Sequence, residues 1–203
     1  YGPGIISAPE VGRMGLPQQW SALTTALNAA TIRLWSTEGS WGDTQRNLRD
    51  PDMQMGYIAR YYLVGWSLGF ERLYWYAADN SWGGLINPNG TRGCRERVHK
   101  DGCPTNAAIA WTSIYRWMVG NTVTRACVPE RKSIWTCELK STDGKSQLAI
   151  WDLSQTCKGR RCTKSRFTYP VRFNRYFILD DPVPKALISG TVPIGWKPIL
   201  LSE

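Results

Sequence analysis

The sequence has a single histidine, His99, among 203 residues. A histidine-based catalytic triad would have only that residue to use, and a multi-histidine metal site is excluded. No C-x-x-C pair occurs, and one histidine cannot complete the usual zinc sets, so neither a metal nor a cofactor is expected. No apolar run reaches the ~18 residues of a membrane span; the longest are broken by Gly, Arg or Pro. No basic-then-apolar leader opens the chain and residue 1 is Tyr rather than Met. The chain is therefore expected to be a mature form, an excised piece or a fragment, with any export signal lost to view. Low-complexity linkers and internal repeats are also absent.

Hydrophobic residues make up 42%, which excludes disorder and supplies a core, and the length fits one domain or one and a half. Lys and Arg number 25 against 16 Asp and Glu, a net charge of +9. The chain is also rich in aromatic residues, with 11 Trp, 9 Tyr and 4 Phe. Flat, partly polar rings build cores, and they also stack on sugar faces or on bases.

The six cysteines form three sequence-local pairs, Cys94 with Cys103, Cys127 with Cys137 and Cys157 with Cys162, each bracketing a short polar loop. Nearest-neighbour disulfides in an oxidising compartment are expected, hence a secreted or periplasmic protein. The sequon Asn89-Gly90-Thr91 agrees with export.

Periodicity divides the chain near residue 120. Before it, Ile5 and Ile6 suggest a short strand. Pro17 then opens a helix whose apolar positions are Trp20, Leu23, Leu27 and Ala30. TIRLWS (31–36) is a β-rich run. Asp50-Pro51 caps a helix to about residue 68, with Met55, Ile58, Tyr62, Leu63 and Trp66 on one face. ERLYWYA (71–77) is a second strand. A third helix covers about 105–119, with Ala108, Trp111, Tyr115 and Met118 as its stripe and Gly120 as its stop. This is the rhythm of parallel βα units. After Gly120, SIWTCEL, QLAIWDL, RFTYPVRF, YFILD and KALISG alternate as antiparallel strands with turns between.

Sites in parallel α/β architectures form at the carboxyl ends of strands. Glu38 follows TIRLWST there, with Trp41 three residues on; Asp79, Asn80 and Trp82 follow RLYWYA. A carboxylate at a strand end beside Trp-bearing loops suits glycoside hydrolysis, in which a glutamate attacks the anomeric carbon while rings hold the sugar.

At these residues the chain resembles the retaining (β/α)8-barrel glycoside hydrolases of the clan with catalytic glutamates on strands four and seven. WSTEGSWG (35–42) is similar to their seventh-strand motif and LYWYAADN (73–80) to their eighth. The helix AAIAWTSIYRWMVG is similar to the one closing the barrel, and the remainder to a small trailing β-sandwich. The resemblance implies the last βα units of a barrel at 1–120 and a β-sandwich domain at 121–203. It implies an O-glycosyl hydrolase acting on an oligo- or polysaccharide, Glu38 as nucleophile and Trp75 as the sugar-stacking ring, with Trp41 and Trp82 bordering the cleft. Arg33 or Arg72, if close, would favour ionised Glu38. The family's Asn-Glu acid/base pair does not occur in the sequence; Glu10 is the only glutamate upstream of Glu38. A full barrel needs about 250 residues. The chain is therefore expected to be a C-terminal portion lacking the acid/base half, and inactive or nearly so alone.

Two other readings stand beside it. One is a non-catalytic carbohydrate-binding or structural β module. The other is nucleic-acid binding through the basic runs 92–100 and 158–166. Both runs overlap the cysteine loops, and no helix-turn-helix, RRM or zinc-finger spacing appears, so nucleic acid is set aside while attraction to an acidic polysaccharide is kept.

Overall fold

A computed structural model describes residues 8–10, 15–27, 33–39, 50–79, 84–87, 103–158 and 161–203. The strand expected at Ile5 and Ile6 lies outside them, as do Trp41, Asn80, Trp82 and Cys94.

The first part is built from α1 (Leu16–Leu27), β1 (Trp35–Gly39), α2 (Pro51–Ser67), β2 (Arg72–Trp75), β3 (Ile86–Asn87), β4 (Cys103–Pro104) and α3 (Asn106–Met118). Local chemistry sets the helix ends. The Asp50 carboxylate accepts from the backbone N–H groups of Asp52 and Met53 at 2.9 and 3.3 Å, and Pro51 needs no partner in the first turn. Gly69, at φ 84°, turns the chain out of α2. Thr105 Oγ1 caps α3 by accepting from Ala108 N, while its own proton goes to Gly84 O at 2.7 Å. Strands β1 and β2 are parallel and joined through α2, so the expected βαβ unit is present.

The second part is antiparallel. It comprises β5 (Thr122–Arg131), β6 (Ile134–Lys140), β7 (Ser146–Asp152), β8 (Cys157–Lys158), β9 (Arg161–Cys162), β10 (Lys164–Thr168), β11 (Arg175–Ile178), β12 (Asp181–Ala186), β13 (Thr191–Gly195) and β14 (Ile199–Ser202). Six of these form one sheet in the order β12-β11-β14-β7-β6-β5, and β10 pairs with β13 as a separate ribbon. The expected strands are met at β6, β7 and β11. RFTYPVRF is strand only in its first half. KALISG leaves the sheet after Ala186, at the end of an edge strand whose Pro182 and Pro184 donate no ladder bond. The disulfides Cys127–Cys137 and Cys157–Cys162 are formed.

The sheet is covered on both faces because its strands alternate. Ala149 and Trp151 of β7, Leu200 of β14 and Trp135 of β6 join the core beneath α2 and α3. Leu148, Ile150, Ile199 and Leu201 point the other way, onto Val192, Ile194, Tyr169 and Phe173. Trp135 and Trp151 are cross-strand partners with stacked rings 6.3 Å apart. The layers are thus helices, sheet and ribbon. Gly120, at φ 81°, closes α3 where the rhythm changes, yet residues on both sides of it share one core.

Three expected helix faces require correction. In α3 the buried stripe is Ala107, Ala110, Ile114 and Trp117, one position away from the expected one, and Trp111 and Tyr115 are 37% and 53% exposed. Both stripes of AAIAWTSIYRWM are apolar, so periodicity does not separate them; packing on α2 and the 2.6 Å bond from Ser113 Oγ to Leu179 O select one. Helix α2 has no single face: Met55 to Tyr61, and Leu63 to Gly65, are all buried, because strands, α3 and the large sheet surround it. In α1, Trp20 packs 5.7 Å from the Phe70 ring while Leu23 is exposed.

Candidate functional site

The carboxyl ends of β1 and β2 are held together by one side chain from α2. The Tyr61 hydroxyl lies 2.9 Å from Ser36 Oγ and 3.2 Å from the Tyr74 carbonyl, bridging both strands. Burial pushes the Tyr61 phenol up to about 12, against a smaller opposite effect of the Ser36 bond, so it remains protonated at neutral pH. The contact is too close for a side chain at Gly39: a Cβ there would stand 2.3 Å from Tyr61 Cζ. Gly65 opens a similar space for Leu73, which a Cβ would approach to 2.6 Å.

The ladder pairs Ser36 with Leu73 and Gly39 with Trp75, so three steps on β1 match two on β2. This bulge lets Ser36 and Gly39 both face Tyr61. Neighbouring residues in a pleated strand point oppositely, so Glu38 points away from α2, and it is exposed. On β2, Leu73 faces α2 and the Trp75 ring meets Tyr61 edge-on at 5.8 Å. Trp75 is half-buried there. Trp75 thus meets α2 through Tyr61, while the Glu38 side chain is exposed. Tyr74 and Tyr76, 44% and 55% exposed, share the open face with Glu38, together with Trp35 at 50%. The alternation L-Y-W-Y of residues 73–76 carried that signal.

The charges of the open face are partly committed. Trp35 Nε1–H donates to Glu71 Oε2 at 2.7 Å and Arg33 pairs with Glu71 Oε1 at 3.0 Å. The indole bond first, then Arg33, holds the Glu71 carboxyl below its usual range despite slight desolvation. The Arg72 guanidinium lies 4.6 Å from the Trp35 ring centroid and donates toward Tyr74 Oη, which raises its pKa. Arg33 and Arg72 therefore engage Glu71, Tyr74 and Trp35 rather than Glu38. Asp79 is exposed beyond β2.

Glu10 is placed where it cannot serve a substrate. It forms an ion pair with Arg60 of α2 at 3.0 Å, with both side chains 0% exposed. The Arg60 guanidinium lies 3.7 Å from the Trp196 ring centroid. Burial raises the Glu10 pKa and lowers that of Arg60, and their mutual attraction opposes both shifts. Among the described residues no cluster of three or more metal-ligating side chains occurs, and no described helix is long and apolar enough to cross a membrane. Cys103 is disulfide-bonded and buried.

No protein-family model matches the chain, and no curated protein matches it in sequence. Among solved structures it is similar to the catalytic domain of GH30 xylanase C from Talaromyces cellulolyticus, with a TM-score of 0.44 and 14% identity, over 86% of this chain and 41% of that one. The chain thus spans well under half the length of that structure, and so loose a superposition does not establish a shared fold.

Proposed function

We propose that the open face of β1 and β2 belongs to a retaining glycoside hydrolase, with Glu38 as its nucleophile. One observation carries the reading: a carboxylate and two exposed tyrosine rings share one face at the carboxyl ends of adjacent parallel strands. In this reading Tyr74 and Tyr76 offer the sugar-facing rings, and Trp75 supports the strand from behind. By the family resemblance, Asp79, Asn80, Trp41 and Trp82 are assigned to substrate binding. Residues 1–120 are then the last part of a barrel, and 121–203 its trailing β domain. The acid/base carboxyl, about 5–5.5 Å from the nucleophile in such enzymes, comes from elsewhere, because Glu10 is enclosed with Arg60. Two disulfides suit an oxidising, extracytoplasmic setting.

A sugar carrying a 2-fluoro substituent and a dinitrophenyl leaving group tests this directly. Its leaving group departs without protonation, so labelling needs the nucleophile and not the acid. Expected is a glycosyl adduct on the peptide containing Glu38, absent in Glu38→Gln; an adduct on another residue overturns the assignment. Sugar binding without turnover is a second reading, favoured by the burial of Glu10 with Arg60. It predicts saturable binding of oligosaccharide by the wild-type chain with no adduct.

A further inference from the structure

A second concave surface lies in the antiparallel part, well separated in sequence from Glu38. It is a cleft of about 400 Å³, whose lining includes Lys164, Lys185, Lys197, Tyr176, Pro193 and Gly195. The register of the strands explains how three lysines meet there. Tyr176 of β11 and Lys185 of β12 are cross-strand partners, so ring and ammonium stem stand side by side. Lys164 of β10 lies opposite Gly195 of β13. A Cβ at Gly195 would come within 3.0 Å of the Thr163 carbonyl and 3.5 Å of Lys164 Cγ, so glycine keeps the floor open beside that lysine.

The three cations are held differently. Lys197 is fixed by Asp52 at 2.8 Å and Asp180 at 3.4 Å, tying α2 to the far edge of the sheet. Lys185 stands 3.6 Å from Asp181, a loose surface pair. Lys164 makes no ion pair among the described residues. Cys162, at the end of the disulfide-closed turn, also lines the cleft, and the same turn carries exposed Lys158 and Arg161.

We propose that this cleft binds an anionic sugar unit, a uronate or a sulfated residue of an acidic saccharide. Lys164 and Lys185 offer compact ammonium groups to a carboxylate or sulfate. Tyr176 and Pro193 offer apolar surface to the C–H face of a ring. The volume lies at the small end of ligand clefts, enough for one or two sugar rings. Asp52 and Asp180 already engage Lys197, which leaves Lys164 and Lys185 as the ammonium groups facing a ligand; so short a run of charge suits one or two acidic sugar units rather than a continuous phosphate backbone. The inference does not depend on Glu38 being catalytic.

The test is calorimetric titration of the whole chain at low salt. The probes are oligogalacturonate, a heparin-derived oligosaccharide, neutral xylo-oligosaccharide and a single-stranded oligonucleotide. Expected is saturable binding of one or both acidic sugars, the pair distinguishing carboxylate from sulfate, with affinity for the neutral sugar and the oligonucleotide at least tenfold weaker. The double variant Lys164→Ala/Lys185→Ala should weaken the acidic sugar at least tenfold, whereas Arg131→Ala/Lys132→Ala, at the turn between β5 and β6, should not. Tyr176→Leu should weaken it too; because Tyr176 also packs on the core, Tyr176→Phe is the folded control and should bind normally. Glu38→Gln should bind as wild type, which separates this result from that of the glycosyl label. Failure of both acidic sugars to bind, equal losses in the two double variants, or tighter binding of the oligonucleotide would overturn the proposal.

Discussion

The two sheet regions treat their faces differently. The pair β1–β2 packs one face on α2 and leaves the other open, with Trp35, Tyr74 and Tyr76 half-exposed. The six-stranded sheet is covered on both faces, by helices on one and by β10, β13 and their neighbours on the other. Helix α2 serves both regions: Tyr61 grips the parallel pair, while Arg60, one residue earlier, lies in the ion pair beside Trp196. Large apolar side chains therefore mean different things in the two places. In the sheet they provide cohesion. On the open face the rings make little of the core, and each stands about half-exposed.

Substitutions can break that contrast, and the largest effect should come from Arg60. Arg60→Met leaves Glu10 buried without its partner and should cost about 3–5 kcal/mol. Adding Glu10→Leu should recover most of it, as read from urea unfolding; a double variant no better than the single one would mean the ion pair is not what the site requires.

Next is Asp152, at the end of β7. Burial alone would raise its pKa, but bonds from Ser165, Ser133 and Ser154 outweigh that and hold it down to about 2. Its folded pKa thus lies below the unfolded value near 4. The stability it provides is complete above about pH 4 and lost as pH falls through about 2, roughly 2 kcal/mol in all. Asp152→Asn should remove that part of the acid dependence, and an unchanged slope between pH 4 and 2 would refute the assignment.

Gly56→Ala should cost about 1–3 kcal/mol by overpacking, since its Cβ would stand 2.4 Å from Trp196 Cδ1 and 2.9 Å from the Trp196 carbonyl. Gly39→Ala tests the other end of the comparison. Its Cβ would push Tyr61 off the strand ends, so glycosyl labelling of Glu38 should fall alongside a similar loss of stability.

The smallest effects belong to the open face. Glu38→Gln and Tyr76→Ala should each change stability by no more than about 0.5 kcal/mol, whatever they do to sugar labelling or binding. A loss of several kcal/mol at Tyr76 would show that its ring is part of the fold after all.

Much of this was legible in the linear chain because its causes are local. Asp50-Pro51 and Gly120 mark helix ends within a few residues, the cysteine spacing anticipated two of the bonded pairs, and QLAIWDL was legible as a strand, though not that both its faces are buried. Glu38 at a strand end beside a second parallel strand was legible in the same way. Tertiary structure decided what local pattern leaves degenerate. Which apolar stripe of α3 is buried depends on α2 and Leu179. Glu10 is enclosed because Arg60 meets it from a distant helix. The ring that shares a face with Glu38 depends on a bulge pinned by Tyr61, and a single extra residue in a strand reverses every side chain beyond it. Sequence determined the helices, the parallel pair and strands such as β6, β7 and β11; contacts between residues far apart in the chain determined which side of each element is buried, because helix and strand periods leave that choice to the neighbour.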